Sequence, residues 1–184
     1  MHIEVLDGPA PTVPDDAALR ARWQAAAGFV HAMTRPPDTR GHPSYASAVV
    51  NQIGTPAGWR ADEGGGRGTP DQTYSLGRFA LDEGEALVMD VRFPPCAYAS
   101  VVLWNRYSQS IDARVHRSTI NHRQAVLRPD GSARIVVSHV DPGVPNWLDT
   151  GGRRHGTVFW RFLLAEQPPD AIVSRVVRVD EVTA

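Results

Sequence analysis

Five short stretches in the second half of the chain constrain its fold more than any other feature. They are Ala86-Leu87-Val88-Met89-Asp90-Val91-Arg92-Phe93, Tyr98-Ala99-Ser100-Val101-Val102-Leu103-Trp104, Arg134-Ile135-Val136-Val137-Ser138-His139-Val140, Thr157-Val158-Phe159-Trp160-Arg161-Phe162-Leu163-Leu164 and Ile172-Val173-Ser174-Arg175-Val176-Val177-Arg178-Val179. All are rich in β-branched or aromatic residues and read as strands. No helical pattern alternates with them, so a parallel α/β sheet lacks its crossovers, and the expectation is a mainly β fold, an antiparallel β-sandwich or jelly roll. Between Gln124-Ala125-Val126-Leu127 and the Arg134 stretch, Pro129-Asp130-Gly131-Ser132 supplies the dihedrals of a tight turn and predicts a hairpin. Alternation puts Val158, Trp160 and Phe162 on one face and Phe159, Arg161 and Leu163 on the other.

The chain changes character near residue 70. Before it, Asp15-Asp16-Ala17 caps a predicted N-terminal α-helix in which Leu19, Trp23, Ala26, Val30 and Met33 recur at three- and four-residue spacing, ending before Pro36-Pro37. Residues 35–70, rich in Pro and Gly, read as an irregular arm, so that 1–70 are expected to hold the helix and arm and 71–184 the β-sandwich, the two together forming one structural unit. Gly64-Gly65-Gly66-Arg67-Gly68 lacks the strand, the helix and the Gly-Lys-Ser/Thr ending of a phosphate loop, and reads as a flexible loop.

A length of 184 residues suits one ordinary domain. The formal net charge of -1 gives no general attraction to nucleic acid or an anionic membrane, so neither partner is expected. All 19 basic residues are Arg, which removes any lysine Schiff base. Cys96, the one cysteine, has no partner for an internal disulfide and reads as a small buried hydrophobe. Met1-His2-Ile3-Glu4-Val5-Leu6-Asp7-Gly8 has neither the basic nor the apolar region of a secretory signal, and no later run is long and apolar enough to span a bilayer. A cytoplasmic protein is expected.

Gly84-Glu85-Ala86, Trp104-Asn105-Arg106-Tyr107, Pro129-Asp130-Gly131-Ser132, Ser138-His139, Pro145-Asn146-Trp147-Leu148-Asp149-Thr150 and Trp160-Arg161 recur here in an order and spacing that resembles the bacterial domain-of-unknown-function 1214 family. The resemblance covers residues from about 74 to 179, and the Asn-Trp-Leu segment carries most of it. It implies a jelly-roll-like fold, here in a single-domain form, whereas many two-domain relatives place another domain before it. It implies no catalytic residue and no cofactor.

The loop Val144-Pro145-Asn146-Trp147-Leu148-Asp149-Thr150-Gly151-Gly152 sets an indole among Asn, Asp and Thr between Pro and Gly. An indole needs apolar cover and a partner for its N–H, so the segment is either a tightly built loop or the wall of a binding site. Trp104, Tyr107, Trp147 and Trp160 offer aromatic faces; with Asn146, Arg106 and Arg161 they suit a flat apolar or glycan-like ligand, although Trp160 reads as core. Arg161, among apolar neighbours, needs a carboxylate or ligand partner, with Asp149 and Asp90 as candidates. His139 or His155 with Asp149 or Asp141 can form an acid/base pair. His116, His122, His139, Asp141 and His155 carry ligand types for zinc or iron, but no His-Glu-x-x-His spacing or Cys pair occurs, so no metal and no cofactor is expected. Ser138 and His139, adjacent on a strand, point to opposite faces and form no simple dyad.

Three functions follow in order of preference. The first is a small-molecule-binding jelly roll using Trp104, Tyr107, Arg106, Asn146, Trp147 and Arg161. The second is a cofactor-independent hydrolase or isomerase using His139, His155 and Asp149. The third is an assembly module packing Trp23, Phe29 and Met33 on a neighbouring subunit, and a homodimer is compatible with all three.

Overall fold

Strand-forming residues with two-residue alternation need an apolar partner for one face, and two such sheets satisfy one another by stacking. The computed structural model has that architecture and describes residues 12–34, 43–58 and 68–183. The Gly64-Gly65-Gly66-Arg67 run and the Met1 to Gly8 segment lie outside the described residues.

The strands are β1 (Ala57–Gly58), β2 (Gln72–Ala80), β3 (Glu85–Val91), β4 (Tyr98–Asn105), β5 (Thr119–Asn121), β6 (Ala133–Ser138), β7 (Trp147–Asp149), β8 (His155–Leu163) and β9 (Val173–Arg178). One sheet has the order β1-β2-β8-β4-β5, the other β7-β6-β3-β9. Every pairing between strands is antiparallel except β6 with β7, where Val136, Val137 and Ser138 face Trp147, Leu148 and Asp149 in parallel. Leu87, Met89, Ile135, Val137 and Leu148 from one sheet meet Phe79, Val101, Leu103, Ile120, Val158, Trp160 and Phe162 from the other in a single buried core. The predicted alternation of β8 holds: Val158, Trp160 and Phe162 are fully buried between the sheets. The Trp160 indole N–H has no hydrogen-bond partner among the described residues, so Trp160 contributes there as an apolar group. Cys96 packs half-buried against this core, and burial pushes its thiol pKa up, as suits a structural cysteine.

The hairpin expected around Pro129 is half right. Gly131 N–H donates to Arg128 O and the Asp130 carboxylate accepts from Ser132 N–H, so the turn closes. Its first arm, residues 124–127, is not a strand, because Val126 satisfies its backbone through the side chain of Asn146 instead.

α1 (Asp16–Thr34) begins where Asp15 Oδ1 accepts from Ala18 N–H, at 2.8 Å. Along it Trp23 and Phe29 are 74% and 67% exposed. The chain divides into two units, Met1–Pro36 and Pro37–Ala184. That division precedes the boundary expected near residue 70, because residues 45–58 belong to the β unit. Leu76 N–H donates to Tyr45 O, Asn51 N–H to Arg78 O, and the Asn51 side-chain amide pairs with both Ala80 N–H and Ala80 O. No described helix is long and apolar enough to cross a membrane.

On the outer face of the four-stranded sheet, Asp90 accepts from Arg134 Nε at 2.9 Å, Arg128 at 3.1 Å and Arg175 at 3.2 Å. The Arg134 hydrogen bond foremost, against the opposing effect of burial and with help from Arg175 and Arg128, holds its carboxyl below the ordinary 3.8. A depressed native pKa stabilises the fold fully above the unfolded value, and that contribution is lost as pH falls through the native value. Asp90→Asn is therefore expected to lower urea-unfolding stability at pH 7, and the gap from wild type is expected to close below about pH 3.8; a gap that persists in acid would mean that packing, not charge, dominates. Gly77 in β2 is required for a different reason, since a Cβ there would run into the Gln52 carbonyl and the Ile53 side chain. Gly77→Ala is expected to destabilise by about 1–3 kcal/mol in the same assay.

Candidate functional site

Three concavities bear on the residues singled out from the sequence. The first is a groove of about 390 Å³ on the outer face of the five-stranded sheet, lined by Gln72, Tyr98, Ser100, Val102, Trp104, Ser110, Arg161 and Leu163. Register explains its composition. Arg161 of β8 lies between Tyr74 of β2 and Ser100 of β4, and alternate residues of β4 bring Tyr98, Val102 and Trp104 to the same face. Phe159, two residues before Arg161, packs against two of the lining side chains: Trp104 stacks on it at 4.4 Å between centroids and the Arg161 guanidinium carbon lies 4.9 Å from its ring centre, with Tyr74 stacked on it at 5.7 Å.

The expected ion pair of Arg161 with Asp149 or Asp90 does not form. Asp90 belongs to the other sheet and is held by Arg128, Arg134 and Arg175, while Asp149 is held by His116. Arg161 is exposed at the groove and has no carboxylate partner among the described residues. Its charge stays solvated while its planar face rests on Phe159.

Tyr107 and Arg106 sit outside this groove. Asn105 Oδ1 accepts from Tyr107 N–H and Gln109 N–H and so organises the loop after β4, where the Arg106 guanidinium lies 5.2 Å from the Tyr107 ring centre.

Asn146 and Trp147 are on the opposite sheet. Asn146 is buried, with φ 58°, a left-handed conformation that asparagine tolerates better than most residues. Its Oδ1 accepts from Val126 N–H at 2.8 Å, and its Nδ2 donates to Val126 O at 2.8 Å and Arg134 O at 3.1 Å. The amide is thereby committed to the backbone. Trp147 is half-buried and donates Nε1–H to Ser138 O at 3.4 Å. Beside them lies a cleft of about 270 Å³ walled by Val126, Leu127, Pro129, Val144 and Pro145, with Arg128 and Arg134 in its lining. Neither it nor the groove combines Asn146 with Trp104.

The histidines separate as well. His139 has Nδ1 2.7 Å from Thr150 Oγ1 and Nε2 3.3 Å from Leu81 O, so both ring nitrogens face structural partners. His155 opens β8 and is exposed. Neither pairs with Asp149. That carboxylate instead accepts from His116 Nδ1–H at 2.7 Å and from Gly151 N–H at 2.7 Å. His116 lines the third concavity, about 590 Å³, with Arg114, Arg117, Ser118, Thr119 and Gln124. The pairing was hidden in the sequence because the two residues lie 33 positions apart, His116 in the loop between β4 and β5 and Asp149 at the end of β7. Among the described residues no group of His, Cys, Asp and Glu is arranged to hold a metal ion.

No family model and no curated protein matches the sequence. The fold is similar to the crystal structure of an uncharacterised protein from Burkholderia cenocepacia, with a TM-score of 0.73 and 31% identity over 96% of this chain and 48% of that one. A protein from Vibrio parahaemolyticus matches at a TM-score of 0.47 and 19% identity, over 92% of this chain and 48% of that one. This chain spans about half the length of each.

The role of Asn146 is separable from its backbone conformation. Asn146→Gly relaxes the positive φ yet abandons three hydrogen bonds, and is expected to destabilise by about 1–3 kcal/mol in urea unfolding. A glycine variant as stable as wild type would show that the amide contributes nothing.

Proposed function

We propose that this chain is a small-molecule-binding β-sandwich of the domain-of-unknown-function 1214 kind, acting in the cytoplasm, with its site in the groove over β4 and β8. The carrying observation is Arg161, an unpaired guanidinium lying among aromatic side chains. Trp104 and Tyr98 suit the flat apolar face of a sugar ring or fused ring system, and Gln72, Ser100 and Ser110 suit its hydroxyls. Arg161 suits a carboxylate, which it can meet with two parallel N–H donors. The ligand class is therefore a flat or glycan-like molecule bearing one negative group.

Because a ligand that binds only the native state raises the melting temperature, glucuronate and 2-naphthoate are expected to raise it where glucose and 2-naphthol raise it less. Arg161→Gln is expected to weaken carboxylate binding at least about tenfold while leaving the melting temperature of the free protein unchanged. Trp104→Ala is expected to weaken both acids. Equal binding of acid and neutral probes, or no loss in Arg161→Gln, would sink the proposal.

A further inference from the structure

The His116 pair has the geometry of a proton-transfer site, and nothing in the groove reading uses it. Its three parts come from different elements. His116 and Arg117 end the loop between β4 and β5, Asp149 ends β7, and Gly151 begins the turn into β8. The Asp149 carboxylate is held from two sides, Oδ1 by Gly151 N–H at 2.7 Å and Oδ2 by His116 Nδ1 at 2.7 Å. A carboxylate only accepts, so Nδ1 carries the proton and Nε2 of the neutral ring keeps its lone pair. Nε2 has no hydrogen-bond partner among the described residues, and the ring is 32% exposed at its cavity. Gly151, at φ 60°, packs against the ring, where a Cβ would lie 3.2 Å from Nε2, and its carbonyl accepts from the Arg153 guanidinium at 2.9 Å.

The neighbouring groups narrow the chemistry. The Ser118 hydroxyl donates to Ile111 O and the Thr119 hydroxyl to Val101 O, so each has its proton committed to the backbone and neither is poised as a nucleophile. Arg114 is neutralised by Asp112, whereas Arg117 lines the cavity with no carboxylate partner among the described residues. A base with a free lone pair, no side-chain nucleophile and one unpaired cation is the equipment for attack by water on a neutral carbonyl.

We propose that His116 is the general base of a second site that hydrolyses small esters or lactones, with Asp149 as its positioning residue and Arg117 as the group that meets the developing oxyanion. Nε2 takes one proton from water as the water oxygen bonds to the carbonyl carbon. The carbonyl π pair moves to its oxygen, facing Arg117. Collapse of that adduct reforms the carbonyl and breaks the bond to the leaving oxygen, which takes the proton from Nε2. Ester and water give acid and alcohol, and the ring returns to its starting form.

Hydrolysis of 4-nitrophenyl acetate and δ-valerolactone, followed by absorbance and by pH-stat titration, tests this against free imidazole at equal concentration. Wild type is expected to exceed imidazole, with a rate that rises with pH to a plateau as one group loses its proton. His116→Gln is expected to lose about 100-fold or more in kcat and to lose that pH dependence. Asp149→Asn keeps an acceptor for Gly151 N–H but favours the wrong tautomer, and is expected to lower kcat with little change in KM. Arg117 is exposed, so Arg117→Gln carries the test even where His116→Gln perturbs folding; it is expected to lower kcat at least tenfold with the melting temperature unchanged. Wild-type rates no greater than imidazole, or an Arg117→Gln variant as fast as wild type, would overturn the proposal. Neither result bears on carboxylate binding at Arg161, which is read by thermal shift in a different concavity.

Discussion

The side-chain amide of Asn146 is the interaction on which the far end of the sandwich depends. It satisfies both backbone groups of Val126 and the carbonyl of Arg134, while the Asn146 backbone carbonyl accepts from Val136 N–H. A short edge strand gains little from its own few ladder bonds, so β7 needs its register set from outside. Asn146 supplies that by anchoring the residue just before it. From the parallel register follow the placement of Asp149 beside Ser138, the bond from Asp149 N–H to Arg117 O, and the reach of its carboxylate to His116. Asn51 repeats the device on the other sheet. It too has a positive φ, 62°, and its amide closes on both backbone groups of a distant residue, Ala80. In each place an asparagine satisfies an edge that a strand does not.

The strands of the core were legible because burial on one face and exposure on the other write themselves into alternation. β8 shows it most clearly, with Trp160 inward and Arg161 outward. The helix was legible from Asp15 and its apolar spacing. What escaped reading was held by side chain to backbone bonds, which leave no period in a sequence. Residues 45–58 look like linker, yet they bond along β2, and Val126 looks like a hairpin arm, yet its partner is an amide 20 positions away. The loop through Asn146 and Trp147 was recognised as either a demanding turn or a binding wall. Asn146 and the Trp147 indole each have a backbone partner, and that accounts for the turn.

The sites were harder to read for a related reason. A groove is assembled from one residue in two on adjacent strands, so Trp104 and Arg161 are neighbours only once β4 pairs with β8. Arg106 and Tyr107, adjacent to Trp104 in sequence, leave the sheet with the loop and turn to each other. The choice of His139 or His155 for Asp149 followed closeness in sequence. The fold instead brings His116 to it from the loop between β4 and β5.

With no lysine in the chain, arginine must do every cationic task, and its partners separate structure from function. Arg128, Arg134 and Arg175 converge on Asp90, Arg114 is held by Asp112, Arg92 by Asp130, Arg154 by Asp82 and Arg178 by Asp180. Exposed pairs of this kind contribute little to stability one by one, whereas the partly buried Asp90 cluster joins β3, β6 and β9 across one sheet. Arg78, Arg106, Arg123 and Arg153 also have no carboxylate partner among the described residues, but Arg161 and Arg117 differ from them in place. Each lines a concavity without a carboxylate partner, one against an aromatic ring and one near a histidine whose tautomer is set by an aspartate. A guanidinium with its counter-ion is already satisfied and has little left to offer a ligand. Arg161 and Arg117 lack one at a concavity where a ligand could enter, and that is why recognition and chemistry are assigned to those two places.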